Sequence, residues 1–219
     1  MTNAYILQRN RITTKTLYTA RASHYEYYPL VKGNIAPSFS LNLYDHLALN
    51  TTDHSAKEQF ISLDDLLSDQ KPLVVIFYTP GIQKNANRQF FESLNETIIA
   101  KGGRLLIITG AKHPAIKHIP AQSNLHIFTD KYNTIAKAFG LYDPQNPLWN
   151  WVPGIEESET FLPAFYVIAP GKQIVYHCVD YNFSLFNNPE LIRHSFVQHL
   201  LESVEAFADA QGKIIMGTS

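Results

Sequence analysis

Cysteine is almost absent from this chain: Cys178 is the only one in 219 residues. A single thiol excludes an intrachain disulfide and any self-contained dithiol cycle, and it suits a reducing compartment. An excess of charge of one sign is missing too. The formal net charge is -1 with no long Lys/Arg run, which removes the electrostatic footprint expected of a partner to nucleic acid or to an anionic membrane. No stretch approaches about 18 continuous apolar residues, as a membrane span would require. The first twenty residues, where Tyr5-Ile6-Leu7 gives way to Gln8-Arg9-Asn10-Arg11, lack the apolar run of a secretory signal. A cytoplasmic protein with neither nucleic-acid nor membrane partners is expected. Gly-rich phosphate loops and Gly-x-Ser-x-Gly elbows are absent, so no cofactor is expected, and there are no internal repeats.

What is present suits one globular domain, because 45% apolar and 17% charged residues over this length can bury a full core. Residues 1–34 lack strong periodicity and end in Tyr25, Tyr27, Tyr28 and Pro29; they read as an N-terminal arm. Its tyrosines either form a patch for a partner or lie on the domain with rings buried and hydroxyls wet. Alternation begins at Ala36-Pro37-Ser38-Phe39-Ser40-Leu41, and Ser62 precedes Leu63-Asp64-Asp65-Leu66-Leu67 as the cap of a short helix. The run Leu73-Val74-Val75-Ile76-Phe77-Tyr78 is continuously β-branched or aromatic, as in a strand buried on both faces of a helix-covered sheet.

From about 84 to 101, Phe90, Phe91, Leu94, Ile98 and Ile99 follow helical spacing, and Gly102-Gly103 supplies a stop. Leu105-Leu106-Ile107-Ile108-Thr109 then completes a strand-helix-strand unit, which favours parallel pairing and an α/β class. A short strand at 125–128, a helix from Tyr132 to Phe139 closed by Gly140, and a Pro/Trp-rich insertion at 143–160 come next. Phe165-Tyr166-Val167-Ile168 and 173–180 form a hairpin around Pro170-Gly171. A closing helix is expected over 189–209, with Leu191, Ile192, Phe196, Leu200, Val204 and Phe207 as its buried stripe. The domain therefore spans 35–210, with 211–219 as a C-terminal tail.

Two groups of residues invite chemistry. Nine histidines include His113 with His118 and His194 with His199. Positions five apart on a helix are turned roughly 140° from one another, whereas helical zinc pairs share a face at a spacing of four, so no metal site is expected. Cys178 has His177 beside it, but successive strand residues point to opposite faces and a thiol in an apolar strand is harder to ionise. A structural cysteine is the simpler reading.

Several segments in order resemble the peroxiredoxin-like AhpC/TSA (redoxin) family: Gly33-Asn34-Ile35-Ala36-Pro37-Ser38-Phe39-Ser40-Leu41, the Phe77-Tyr78 strand end, Phe128-Thr129-Asp130, Ala136-Lys137-Ala138-Phe139-Gly140-Leu141 and Leu162-Pro163-Ala164-Phe165-Tyr166-Val167-Ile168. The likeness covers roughly 33–205. It extends to Val179-Asp180-Tyr181-Asn182-Phe183, which is similar to a Val-Asp-x-Asp-Tyr segment in the branch that carries a Trp-Cys-Pro-x-Cys-Asn turn. The resemblance implies a thioredoxin-like fold, with a central mixed β-sheet flanked by helices, an N-terminal arm and an aromatic insertion before the final hairpin. It implies that Pro163 is a cis-proline facing the active turn, and it makes a homodimer reasonable.

It also marks a vacated site. A thiol at a helix N-terminus is favoured as thiolate by the helix dipole and unpaired amides, and that makes it a nucleophile toward peroxides and disulfides. Between Thr79 and Phe90 there is no cysteine. Setting Asn87 and Gln89 on the Cys-Asn-x-Gln pattern of the family puts Gln83 and Ala86 where two cysteines would stand. The Pro-x-x-x-Thr-x-x-Cys register instead places Thr79, Gln83 and Ala86 at Pro, Thr and Cys. The arginine that many peroxiredoxins carry at the hairpin start would fall near Pro163. What remains is a helix N-terminus with Thr79, Gln83, Lys84, Asn85, Ala86 and Asn87, opposite Pro163. These residues either cap the helix or form a pocket for a small-molecule ligand or a protein partner, and Trp149 and Trp151 either wall that pocket or anchor the insertion. Two functions stay open: a redoxin-like module without thiol catalysis, used for binding or regulation, or a thiol-dependent antioxidant oxidoreductase of peroxidase type using Cys178 with an external thiol.

Overall fold

The computed structural model describes residues 27–43, 60–79, 86–110, 125–150, 160–181, 183 and 196–216, with backbone alone at 86–88, 149, 196 and 208–216. Its centre is a five-stranded mixed sheet in the order β5-β4-β3-β6-β7. These strands are β3 (Leu73–Tyr78), β4 (Arg104–Gly110), β5 (Ile127–Asp130), β6 (Ala164–Ile168) and β7 (Ile174–Val179), while a separate antiparallel pair joins β1 (Ser40–Asn42) to β2 (Phe60–Ser62). β3 pairs parallel with β4 and antiparallel with β6, placing Val75 between Leu106 and Tyr166. The helix-covered α/β arrangement is the expected one, with β3 buried along its whole length.

Alternation of side chains divides the core into two layers across the sheet. On one face Leu73, Val75, Phe77, Leu106, Ile108 and Tyr166 pack with α1 (Leu63–Leu67) and α3 (Thr134–Ala138). On the other, Val74, Ile76, Tyr78, Leu105, Ile107, Phe165 and Val167 meet α2 (Ala86–Ala100) and α4 (Phe196–Met216). Phe77 anchors the first layer, with ring centroids 4.9 Å from Phe139, 5.9 Å from Phe161 and 6.0 Å from Tyr166. Tilted and edge-on contacts of this kind add to the area they bury.

Local chemistry accounts for the element ends. Ser62 accepts from the Asp65 amide at 3.1 Å while the Asp65 carboxylate accepts from the Ser62 amide at 2.8 Å, a reciprocal capping box that starts α1. Gly102, at φ 78°, turns the chain out of α2 and lets Gly103 donate to the Ile98 carbonyl at 2.9 Å. Ile98 is fully buried, but Ile99, one helical step round, is 57% exposed, so the apolar face is narrower than its five-residue pattern suggested. α3 is shorter than the 132–139 expectation because the Asp130 carboxylate gathers the amides of Thr134, Ile135 and Ala136 and so marks where the helix begins. The strand before it is Ile127–Asp130 rather than 125–128.

Two further boundaries differ from the sequence expectation. The end of the arm is part of the domain: Leu30 donates to Phe139 O, Gly33 to Ile174 O, and Ala36 to Lys172 O. Helix α4 runs through Met216, past position 211 where a tail was expected to start, and the 189–195 part of the expected helix lies outside the described residues. Within α4, Leu200 and Val204 are buried as expected, and Lys101 at the end of α2 bridges to Glu205 at 2.6 Å.

Candidate functional site

The strand-turn-helix site is reached from β3. The C-terminal ends of the parallel strands β3, β4 and β5 lie on one edge of the sheet, and α2 begins on that side; this edge is where open α/β sheets place ligands. Tyr78 packs edge-on against Phe91 of α2 at 5.1 Å. Thr79, the last described residue before the turn, donates its hydroxyl to the Phe161 carbonyl at 2.8 Å. Its side chain is thus used to join β3 to the segment that leads into β6. Gln83, Lys84 and Asn85 lie outside the described residues, and Ala86 and Asn87 are placed as the first two residues of α2 by backbone alone.

Pro163 is buried immediately before β6, one step beyond the Phe77–Ala164 pair and so beside the end of β3. The structure brings it and Thr79 to the same edge. Every described peptide bond is trans, however, so the expected cis isomer at Pro163 is corrected. The backbone around it is tied on both sides, Leu162 donating to Leu141 O at 2.9 Å and Asp180 donating to Pro163 O at 2.8 Å.

Cys178 sits elsewhere. It lies on β7 opposite Phe165 and packs half-buried against the layer of Val167 and Leu200. Burial, helped by the Asp180 carboxylate, pushes its thiol up to about 12, away from the low values that make a reactive thiolate. His177 turns to the other face, as strand alternation requires. Its Nδ1 accepts the Lys32 amide at 3.1 Å, and burial holds its pKa below the ordinary value. The two sequence neighbours therefore face opposite sides of β7.

The insertion is fastened by the arm, since the Tyr27 hydroxyl donates to the Asn146 carbonyl at 2.8 Å. Trp151 lies outside the described residues, as do His113, His118 and His194, and the Trp149 side chain is not among those described. His199 is exposed and contacts Glu202 at 3.2 Å. Among the described residues, no three His, Cys, Asp or Glu side chains converge as a metal site would require, and no helix is long and apolar enough to cross a membrane.

Three features were not legible as sequence. Asp130 is 4% exposed and its two carboxylate oxygens take four hydrogen bonds at 2.9–3.1 Å from the start of α3; burial outweighs these bonds and raises its pKa. The hydroxyls of Tyr166 and Thr109 are buried without a hydrogen-bond partner. Of these, Asp130 carries a signal in its sequence position, four residues before the first residue of α3.

No protein-family model matches the chain, and no curated protein matches it by sequence. Solved structures do. AhpC of Mycobacterium tuberculosis superposes with a TM-score of 0.51 at 16% identity, covering 82% of this chain and 93% of that one. Peroxidoxin BcpB from the same organism gives 0.50 at 16% identity, over 81% and 97%. The reduced 2-Cys peroxiredoxin of Plasmodium vivax gives 0.52 at 12% identity, over 84% and 85%. The fold is that of the peroxiredoxins, a thioredoxin-like α/β sheet.

Proposed function

We propose that this chain is a peroxiredoxin-like protein that has lost thiol catalysis and serves as a binding or regulatory module. The observation that carries this reading is the position of its one cysteine. Cys178 lies half-buried on β7 with its thiol pushed up to about 12, and no cysteine stands between Thr79 and Phe90 where the helix dipole would activate one. The former active-site turn, Thr79, Gln83, Lys84, Asn85, Ala86 and Asn87 with Pro163 opposite, is the proposed ligand-facing surface. A helix start bearing a lysine and amide side chains suits an anionic small molecule or an acidic segment of a protein. The compartment that suits a lone unpaired thiol is the cytoplasm.

The competing use of Cys178 with an external thiol makes an opposite prediction in one assay. Consumption of hydrogen peroxide and of an organic hydroperoxide is followed with dithiothreitol as reductant, for the wild type and for Cys178→Ser. The proposal expects both proteins to match the protein-free rate. Turnover in the wild type that disappears in Cys178→Ser would overturn it.

A further inference from the structure

The edge strand β7 is partly covered by the arm. Gly33 donates to Ile174 O and Ile174 donates back to Asn34 O, each at 2.8 Å, Ile35 bridges antiparallel to Gln173, and Ala36 donates to Lys172 O at 2.8 Å. Residues 33–36 thus form a strap along the first part of that edge. Its leading end is held differently, by a side chain: the Lys32 amide donates to His177 Nδ1 at 3.1 Å across 145 residues of sequence. That bond requires a neutral imidazole with its proton on Nε2. When Nδ1 takes a proton, the Lys32 N–H faces an N–H, the bond is lost, and the imidazolium stands beside a segment that carries the Lys32 cation.

We propose that His177 is a proton-operated latch, which holds the leading end of the strap, at Lys32, on the outer edge of β7 at neutral pH and releases that end in mild acid. The inference is independent of the thiol question. The groups around the ring leave protonation uncompensated. Across the sheet its register partner is Tyr166, and along β7 its neighbours are Tyr176 and Cys178; burial raises the pKa of all three, so none is an anion at neutral pH, and Tyr181 is raised in the same way. Asp180, further along the chain, acts on Cys178, whereas His177 is lowered by burial alone. At the far end of the strap Lys172 is engaged by Asp64 at 2.7 Å. The latched form therefore keeps His177 neutral, with its pKa below the 6.5 of a free imidazole. Its stabilising effect is complete above that value and is lost as pH falls from 6.5 through the latched pKa.

The test follows the His177 ring by NMR and the exchange of the Lys32 and Gly33 amides between pH 5 and 8, in the wild type and in His177→Gln. Expected are a ring that titrates below 6.5, an unprotonated Nδ1 at pH 8, and protection of both strap amides that falls about fivefold in acid, the effect of losing one hydrogen bond. Protection in His177→Gln should stay flat across the range, while Val75 and Ile76 amides in the core remain unchanged in both proteins. A ring that titrates at or above 6.5, or strap protection with the same pH dependence in both proteins, would overturn the proposal. The ring titration needs only the wild type, so it decides the matter even where His177→Gln folds poorly.

Discussion

The reactivity of Cys178 offers the sharpest quantitative check on the structure. Its thiol moves from 9.0 to about 12 on folding, so at pH 7.5 the native protein holds about a thousandfold less thiolate than the unfolded chain. Intrinsic nucleophilicity rises with pKa, with a Brønsted slope of about 0.4–0.5, and over this interval it returns roughly fifteen- to thirtyfold. The net expectation is labelling slowed about thirty- to sixtyfold, before any steric exclusion by the packing of β7 against α4. The assay is the rate of iodoacetamide labelling at pH 7.5 in native protein and in urea, read by mass spectrometry, with absorbance near 240 nm across pH as an independent measure of thiolate. Native labelling within threefold of the unfolded rate, or a thiolate signal appearing below pH 9, would refute the placement of Cys178 and with it the main support for a non-catalytic reading.

Two substitutions test the core that positions the site. At Gly140, φ is 72° and an added Cβ would collide with the Tyr28 carbonyl oxygen; Gly140→Ala is therefore expected to cost about 2 kcal/mol or more in urea unfolding, and a change under 0.5 kcal/mol would contradict the docking of the arm. Asp130→Ala leaves the buried Ile135 and Ala136 amides unpaired, at about 1–3 kcal/mol each. Relief from burying a carboxylate offsets part of this, leaving about 2–4 kcal/mol by the same measurement. An Asp130→Ala protein as stable as wild type would show that the carboxylate does not hold α3.

Much of the architecture could be read from residue order, for reasons visible in single elements. β3 and the Leu105–Ile108 centre of β4 are unbroken apolar runs, and a run of that kind suits a strand covered on both faces. Ser62 before Asp65 specified its own capping box, and Gly102 and Gly140 stood where helices needed a residue tolerant of positive φ. The absence of cysteine between Thr79 and Phe90 was also plain, because it is a fact of sequence. What resisted was anything that depends on a remote partner. The start of α3 was set by a carboxylate from the preceding strand, and the exposure of Ile99 by which flank of α2 met the sheet.

His177 makes the division clearest. Sequence placed it beside Cys178, and the alternation of a strand was enough to say that the two point apart and that the thiol would be hard to ionise. Sequence alone determined the α/β class, the lack of a dithiol and the absence of cysteine between Thr79 and Phe90, since each follows from composition, period or the absence of a residue type. The partner of His177 is an amide 145 residues away, and the fate of the arm, the burial of Asp130 and the hydroxyls enclosed at Tyr166 and Thr109 are likewise products of chain segments meeting in space. Local sequence encodes propensities and periods, whereas contacts between distant segments exist only once the sheet has paired and the two layers have closed over it.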